Sequence, residues 1–274
     1  MTTPILHSTI WEEMAAEDDP FTAEACSCRG YDVFGELLEK AAYPEYLYLL
    51  FRGEKPAPAA ARALEILAIA LANPGPRDPS VHAAMAAGVG GSPAASALMA
   101  ALASGAGVSG GAREIFRSME LWQTCGCSLD AWRQALHPAN EASYGQRRSV
   151  WPDSEHPPGF AAYALRCPQP VQQTLNALCR VLPEDNLAWL QNQRAALEQL
   201  ADHPLAMTGV AAATLTDLGF APADGEMLVL LLRLPGAAAH ALEQGRLGIR
   251  HFPFFDIDIP DDPGPRIGEA CSEL

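Results

Sequence analysis

Three short stretches of this sequence decide its fold, and the first of them is Gly107-Val108-Ser109-Gly110-Gly111-Ala112-Arg113-Glu114. The second and third are Pro158-Gly159-Phe160-Ala161-Ala162-Tyr163 and Met207-Thr208-Gly209-Val210-Ala211-Ala212. Residues 81–107, which lead into the first stretch, consist almost entirely of Ala, Gly and Ser. Such a composition favours helices that pack closely through small side chains, inside a core or across a subunit boundary.

The apolar periodicity outside these stretches also predicts helices. Apolar residues recur at steps of three and four over 33–51, where Pro44 separates two short helices, and over 58–71. Gly90-Gly91-Ser92-Pro93 divides residues 81–107 into a helix pair. Further helices are predicted at 170–182, 186–201, 208–218 and 223–244. No segment shows the alternation that predicts a strand.

The composition is that of a globular chain with an acidic surface. Hydrophobic residues make up 49% of the 274 residues, and the formal net charge is −15. A field of this sign repels phosphates, so no nucleic-acid partner is expected. The start of the chain lacks the pattern of a signal peptide, and the apolar run Met227–Leu232 is too short to span a bilayer. We therefore expect a cytoplasmic protein without a membrane partner.

Seven cysteines, an odd number in a chain of this size, do not indicate a disulfide framework. Cys26-Ser27-Cys28 and Cys125-Gly126-Cys127 form two close pairs. Neither pair has the two-residue spacer of structural zinc sites, and no neighbouring His completes a ligand set. We expect reduced thiols, and no metal or cofactor is assigned.

Several segments, taken in order, resemble the citrate synthase superfamily over about residues 25 to 255. Besides the three stretches above, they are Arg29–Asp32, Tyr43–Pro56, Leu218–Phe220 and Leu232–Glu243. The sequence looks closest to the short bacterial citrate synthase and citryl-CoA lyase branch. The resemblance implies an all-α fold with a large domain (1–112 and 219–274) and a small inserted domain (113–218). It also implies an active site in the cleft between the domains, and a homodimer with the helices near 81–105 in or near the interface.

The three glycine-rich stretches match the segments in which the family carries two catalytic His and a catalytic Asp. In the family, the Asp takes a proton from the methyl group beside a CoA thioester, one His stabilises the enol, and the other polarises an oxoacid ketone. Here the matching positions hold Ser109, Ala162 and Thr208. A Ser hydroxyl still donates a hydrogen bond, but an Ala methyl polarises nothing and a Thr hydroxyl is no base near neutral pH. Citrate synthase activity is therefore not expected.

Part of the family's binding apparatus survives. Arg233 matches an arginine that binds a substrate carboxylate in the family. Arg250 resembles an arginine that the partner subunit supplies to the active site. Arg166 resembles a basic residue near the CoA site, but the family's following Asp-Pro-Arg is replaced by Pro168-Gln169-Pro170. A carboxylate, CoA or an acyl-CoA thus remains the ligand class that the resemblance implies.

The Pro- and Gly-rich stretch 138–161 is predicted to be a long loop, and such loops are often functional. It carries Asp153, Glu155 and His156, which are candidates for a replacement acid–base set, although an exposed polar loop is the simpler explanation for them. Two hypotheses follow. One is a pseudoenzyme that acts as a binding or regulatory subunit, with an active paralogue as partner. The other is a divergent enzyme that makes or cleaves a carbon–carbon bond of an acyl-CoA with other residues.

Overall fold

The computed structural model describes residues 8–136 and 156–254. Three short strands, β1 (Trp11–Ala15), β2 (Ala23–Cys28) and β3 (Tyr31–Asp32), precede the helices. The helices are α1 (Leu38–Lys40), α2 (Tyr43–Arg52), α3 (Pro58–Ala72), α4 (Pro79–Val89), α5 (Ala94–Gly105), α6 (Ala112–Cys125), α7 (Leu129–Leu136), α8 (Gln169–Cys179), α9 (Asp185–Ala201), α10 (Met207–Asp217) and α11 (Pro222–Leu247). A π-helical turn, Val33–Leu37, leads into α1, and a 3-10 turn, Ile249–His251, follows α11.

Proline marks the start of many of these helices. Five of them have a proline in their first two positions, where the missing N–H has no intrahelical partner to lose; these are α2, α3, α4, α8 and α11. The helices predicted from periodicity are confirmed to within a few residues, including the break near Pro44 and the division at Gly90–Pro93. The helices α6 and α7 were not among those predicted.

The expectation that no strand would form was wrong at the start of the chain. Strands β1 and β2 pair antiparallel from Trp11–Cys28 to Ala15–Ala23, and β3 adds a short third strand to β2. All five residues of β1 are exposed, so neither face of the strand is buried. Without a buried face the sequence has no reason to alternate, and the alternation signal is missing.

The main core is formed by α2, α3 and α6 to α11. Helix α10 lies at its centre, since every residue from Thr208 to Leu215 is buried. Helix α11 packs against α3, α4, α5 and α6. It is long and apolar enough to cross a membrane by length and composition, but its contacts are those of a core helix.

The buried cluster crosses the predicted domain boundaries. It joins Leu64 and Leu228, from the predicted large domain, to Leu175 and Leu215, from the predicted small domain. A second cluster, formed by α4, α5 and α11, lies beside it and contains mainly alanines. The division into 1–112 with 219–274 and 113–218 stays a prediction.

Candidate functional site

Glu114 lies at the centre of the site. It is the third residue of α6, and its side chain is 1% exposed. A carboxylate at this position benefits from the unpaired N–H groups and the positive end of the helix dipole. The helix therefore presents a negative charge to the interior of the protein, where it needs hydrogen-bond donors.

Both oxygens of Glu114 have such donors. Oε1 accepts from the Thr208 hydroxyl at 2.5 Å and from the Gly159 amide at 3.0 Å. Oε2 accepts from the Gly110 amide at 2.5 Å and lies 3.3 Å from Nε2 of His156, which donates when Nε2 carries the proton. These contacts bring together residues from all three glycine-rich stretches. We call Glu114 and these four partners the Glu114 cluster.

Two glycines allow the second and third stretches to meet. Gly159 has φ +91°, a conformation that favours glycine, and a Cβ there would lie 3.0 Å from the Cα of Gly209. A Cβ on Gly209 would overlap the carbonyl oxygen of Gly159. The backbone amide of Ala206 donates to this same carbonyl at 3.0 Å. Close backbone contact therefore fixes the distance between Gly159 and Thr208.

The three positions that match the family's His, His and Asp differ in their surroundings. Thr208 is buried, and its hydroxyl is committed to the Glu114 carboxylate. Ser109 is exposed, and Ala162 is half-buried. The carbonyl of Ala161, next to Ala162, lies 3.1 Å from Nδ1 of His203. Only Thr208, of the three, belongs to the Glu114 cluster.

Arg233 connects to this cluster through the backbone. It lies in α11 and is 8% exposed. Its Nη1 donates to the carbonyl of Gly110 at 2.9 Å, and its Nη2 forms an ion pair with Oδ2 of Asp78. The peptide groups on the two sides of Gly110 thus join two carboxylates, the buried Glu114 and the partly buried Asp78, in one hydrogen-bonded network.

The other candidate residues lie apart from this network. Arg166 and Arg250 are exposed and make no ion pair with any residue of 8–136 or 156–254. Arg166 lines a wide surface cavity of about 800 Å³ formed by residues 164–169 and Gln172. Asp153 and Glu155 fall outside the described residues.

His156 is not an exposed loop residue. It is 6% exposed and lines a cavity of about 520 Å³. The other lining residues lie on α6, on α7 and in the two prolines directly after His156; they are Arg117, Glu120, Leu121, Thr124, Ala135, Leu136, Pro157 and Pro158. The Glu114 carboxylate therefore orients a histidine that borders a cavity, an arrangement that suits general acid–base chemistry.

Sequence reasoning missed the roles of Glu114 and Asp78. Glu114 belongs to the first glycine-rich stretch, but only Ser109 in that stretch was assigned a candidate role from the sequence. A signal was available, because Glu114 and Ser118 lie one turn apart beside the buried residues Ala112, Ile115 and Met119 of an otherwise apolar face. A carboxylate on such a face needs buried partners.

The cysteine pairs do not form part of this site. Burial raises the pKa of the Cys125 and Cys127 thiols above their usual value, which disfavours the thiolate. In the described parts of the chain, no group of three or more His, Cys, Asp or Glu side chains is arranged to hold a metal ion.

Comparison with known proteins identifies the fold. No model of a known family matches the sequence, and no curated protein matches it. Among solved structures, citryl-CoA lyase from Hydrogenobacter thermophilus matches with a TM-score of 0.71 and 17% identity, over 97% of this chain and 99% of that chain. The ATP citrate lyase of Methanothrix soehngenii, in complex with citrate and coenzyme A, matches with a TM-score of 0.65 and 18% identity.

This chain spans 44% of that ATP citrate lyase and 43% of a Methanosaeta concilii ATP citrate lyase variant in complex with (3S)-citryl-CoA. The second match also has a TM-score of 0.65 and 18% identity. The chain thus has the citrate synthase-type fold over nearly its whole length, and the fold expectation is confirmed. At this level of identity the comparisons establish the fold alone.

Proposed function

We propose that this chain is a pseudoenzyme of the citrate synthase and citryl-CoA lyase type, which keeps a ligand-binding or regulatory role without the citrate-forming or citrate-cleaving chemistry. The single observation that carries the proposal is the state of Thr208. By the resemblance, Thr208 stands where the family carries its base, and its hydroxyl donates to the buried Glu114 carboxylate at 2.5 Å. A donor in this position cannot remove a proton from an acyl-CoA methyl group.

Glu114 does not replace the missing base. Its carboxylate is 1% exposed, and both oxygens already accept hydrogen bonds from within the protein. A general base must come within hydrogen-bond reach of the proton that it abstracts. The carboxylate thus joins three chain segments by hydrogen bonds, and its burial keeps it out of contact with an acyl-CoA.

Turnover is the direct test. Citrate formation from acetyl-CoA and oxaloacetate, and cleavage of citryl-CoA, would be measured on the full chain, with the Hydrogenobacter thermophilus citryl-CoA lyase as positive control. We expect no rate above the buffer background in either direction, since losing groups of this kind removes on the order of 10²–10⁴ each. Robust turnover would show that the proposal is wrong.

The proposed ligand is a CoA thioester or a small carboxylate bound through Arg166 and Arg250. Both guanidinium groups are exposed and have no ion pair with the described residues. Calorimetry with CoA, acetyl-CoA and di- and tricarboxylates tests this. Arg166→Ala should weaken CoA binding by about tenfold or more, the effect of one hydrogen bond between charged groups. Arg180→Ala, an exposed arginine at the end of α8, is the matched control.

A second candidate function, a divergent acyl-CoA enzyme, is favoured by one observation. His156 lines the 520 Å³ cavity and is oriented by Glu114. A screen of acyl-CoA substrates with wild type and His156→Asn would decide between the two. A turnover that is present in wild type and lost in the variant, with unchanged melting temperature, would favour the divergent enzyme.

We also propose a homodimer that forms through α5 and α11. Met99 on α5 and Leu231 and Leu242 on α11 are exposed apolar side chains. Between α4, α5 and α11 lies an open apolar cavity of about 360 Å³. Sedimentation of the wild type and of Leu242→Glu tests the proposal, and a wild type that sediments as a monomer at micromolar concentration would contradict it. An active paralogue is the further partner to be sought by co-purification.

A further inference from the structure

Arg233 forms its hydrogen bond and its ion pair with groups of the protein itself. Its side chain is 9% exposed, and its guanidinium group donates to the carbonyl of Gly110 and to the carboxylate of Asp78. A buried guanidinium requires a counter-ion, since an unpaired charge in the interior is very costly. Asp78 supplies that counter-ion. In a site without such a residue, the carboxylate of a ligand would take its place.

Asp78 is held firmly in this position. It is the residue that precedes α4, and its Oδ1 accepts from the Ser80 amide at 2.9 Å and from the Ser80 hydroxyl. Oδ2 is directed to Arg233. One oxygen thus caps a helix while the other neutralises the arginine. Moving the carboxylate away from Arg233 would also disturb the start of α4.

We propose that Asp78 is an internal carboxylate ligand of Arg233 and that it excludes external di- and tricarboxylates from this arginine. A ligand carboxylate at Arg233 would have to compete with Asp78, and the two negative charges would then lie close together and repel each other. Asp78 is therefore a specificity-determining residue, and it selects for ligands that are uncharged at this end. The inference concerns binding at Arg233 and holds whether or not the chain catalyses a reaction.

The substitution Asp78→Ser tests this directly. Serine is also a good N-cap residue, so α4 keeps its cap, while the missing carboxylate leaves room for an added one. We expect acetate and citrate to raise the melting temperature of Asp78→Ser but not that of the wild type. By calorimetry, citrate should bind Asp78→Ser at least tenfold more tightly than the wild type.

The control variant is Asp78→Ser/Arg233→Met, in which the stabilisation by acetate and citrate should disappear. Sodium chloride at matched ionic strength separates specific binding from screening. The proposal is wrong if citrate stabilises the double variant as much as Asp78→Ser. It is also wrong if wild type binds citrate as tightly as Asp78→Ser and loses that binding in Arg233→Met.

A second variant covers failure of Asp78→Ser to fold. Asp78→Asn has nearly the same volume and keeps an oxygen for the Ser80 amide, but it removes the charge that faces Arg233. Its melting temperature should likewise rise with citrate, and an unchanged value would overturn the proposal. Turnover of the wild type, measured separately, tests the proposed pseudoenzyme and does not affect this result.

Discussion

The two carboxylates of the site, the buried Glu114 and the partly buried Asp78, form their hydrogen bonds and ion pairs in different ways. Glu114 accepts from two backbone amides and a hydroxyl and lies beside His156, whereas Asp78 faces the full positive charge of Arg233. The first arrangement binds three chain segments together. The second neutralises a cation that would otherwise be available to a ligand. The carboxylates are linked through Gly110, so one network performs both tasks.

The largest effect is expected from removing the Glu114 carboxylate. Glu114→Ala leaves the donors on Gly110 and on the buried residues Gly159 and Thr208 without their acceptor, so we expect the free energy of unfolding to fall by about 4 kcal/mol. Urea denaturation measures the change. Glu120→Ala, an exposed glutamate on the same helix, is the control and should stay within about 0.5 kcal/mol of wild type. A loss below about 1 kcal/mol in Glu114→Ala would contradict the role assigned to the cluster.

The next effect should come from Arg233. Arg233→Met leaves the partly buried Asp78 carboxylate without its counter-ion, and we expect the free energy of unfolding to fall by about 3 kcal/mol. Because the cost lies in the unpaired charge, Asp78→Asn/Arg233→Met should recover part of this stability. A double-mutant cycle by chemical denaturation measures the coupling, with the exposed Arg246→Met on the same helix as control. Additive single effects would mean that the ion pair contributes nothing.

A smaller effect is expected at Thr208. Thr208→Val keeps the shape of the side chain but removes one of the donors to Oε1 of Glu114, for a loss of about 1–2 kcal/mol. Thr208→Ser retains the hydroxyl and should cost less than Thr208→Val. Thermal denaturation compares the stabilities of the two variants. Equal stability of the valine and serine variants would show that the hydrogen bond to Glu114 is unimportant.

The smallest effect concerns a partly buried carboxylate outside this network, Asp217, which accepts from the amides of Asn186 and Leu187 at the start of α9. Like Glu114 it has neutral donors, but burial raises the pKa of Asp217 above its usual value of 3.8. The folded protein therefore holds this proton more tightly than the unfolded chain does. The resulting stability is present below pH 3.8 and is lost as pH rises through the folded-state pKa.

Asp217→Asn removes this titration. The difference in unfolding free energy, wild type minus variant, should become smaller as the pH rises from the usual aspartate pKa to above the pKa of Asp217 in the folded protein. We expect this decrease to be less than about 2 kcal/mol. Urea denaturation at several pH values measures it. A difference that increases over the same range would mean that the hydrogen bonds outweigh burial and that the pKa is lowered.

Much of the fold was predictable because it depends on local pattern. Apolar residues at helical spacing and the small-residue composition of 81–107 located α2 to α5 and α8 to α11. The short sheet was missed because β1 has no buried face. The three glycine-rich stretches were identified, and Gly159 and Gly209 have a clear physical role, since their backbones touch.

The sequence by itself determined the helical class and the resemblance that led to the fold, and it holds Thr208 where that resemblance implies the family's base. Only the tertiary structure decided which groups surround Glu114 and Arg233. The partners of Glu114 come from positions 110, 156, 159 and 208, and Asp78 meets Arg233 across 155 residues of chain. Periodicity reports which face of a helix is buried, but a buried charge is explained only by the donors that folding brings to it.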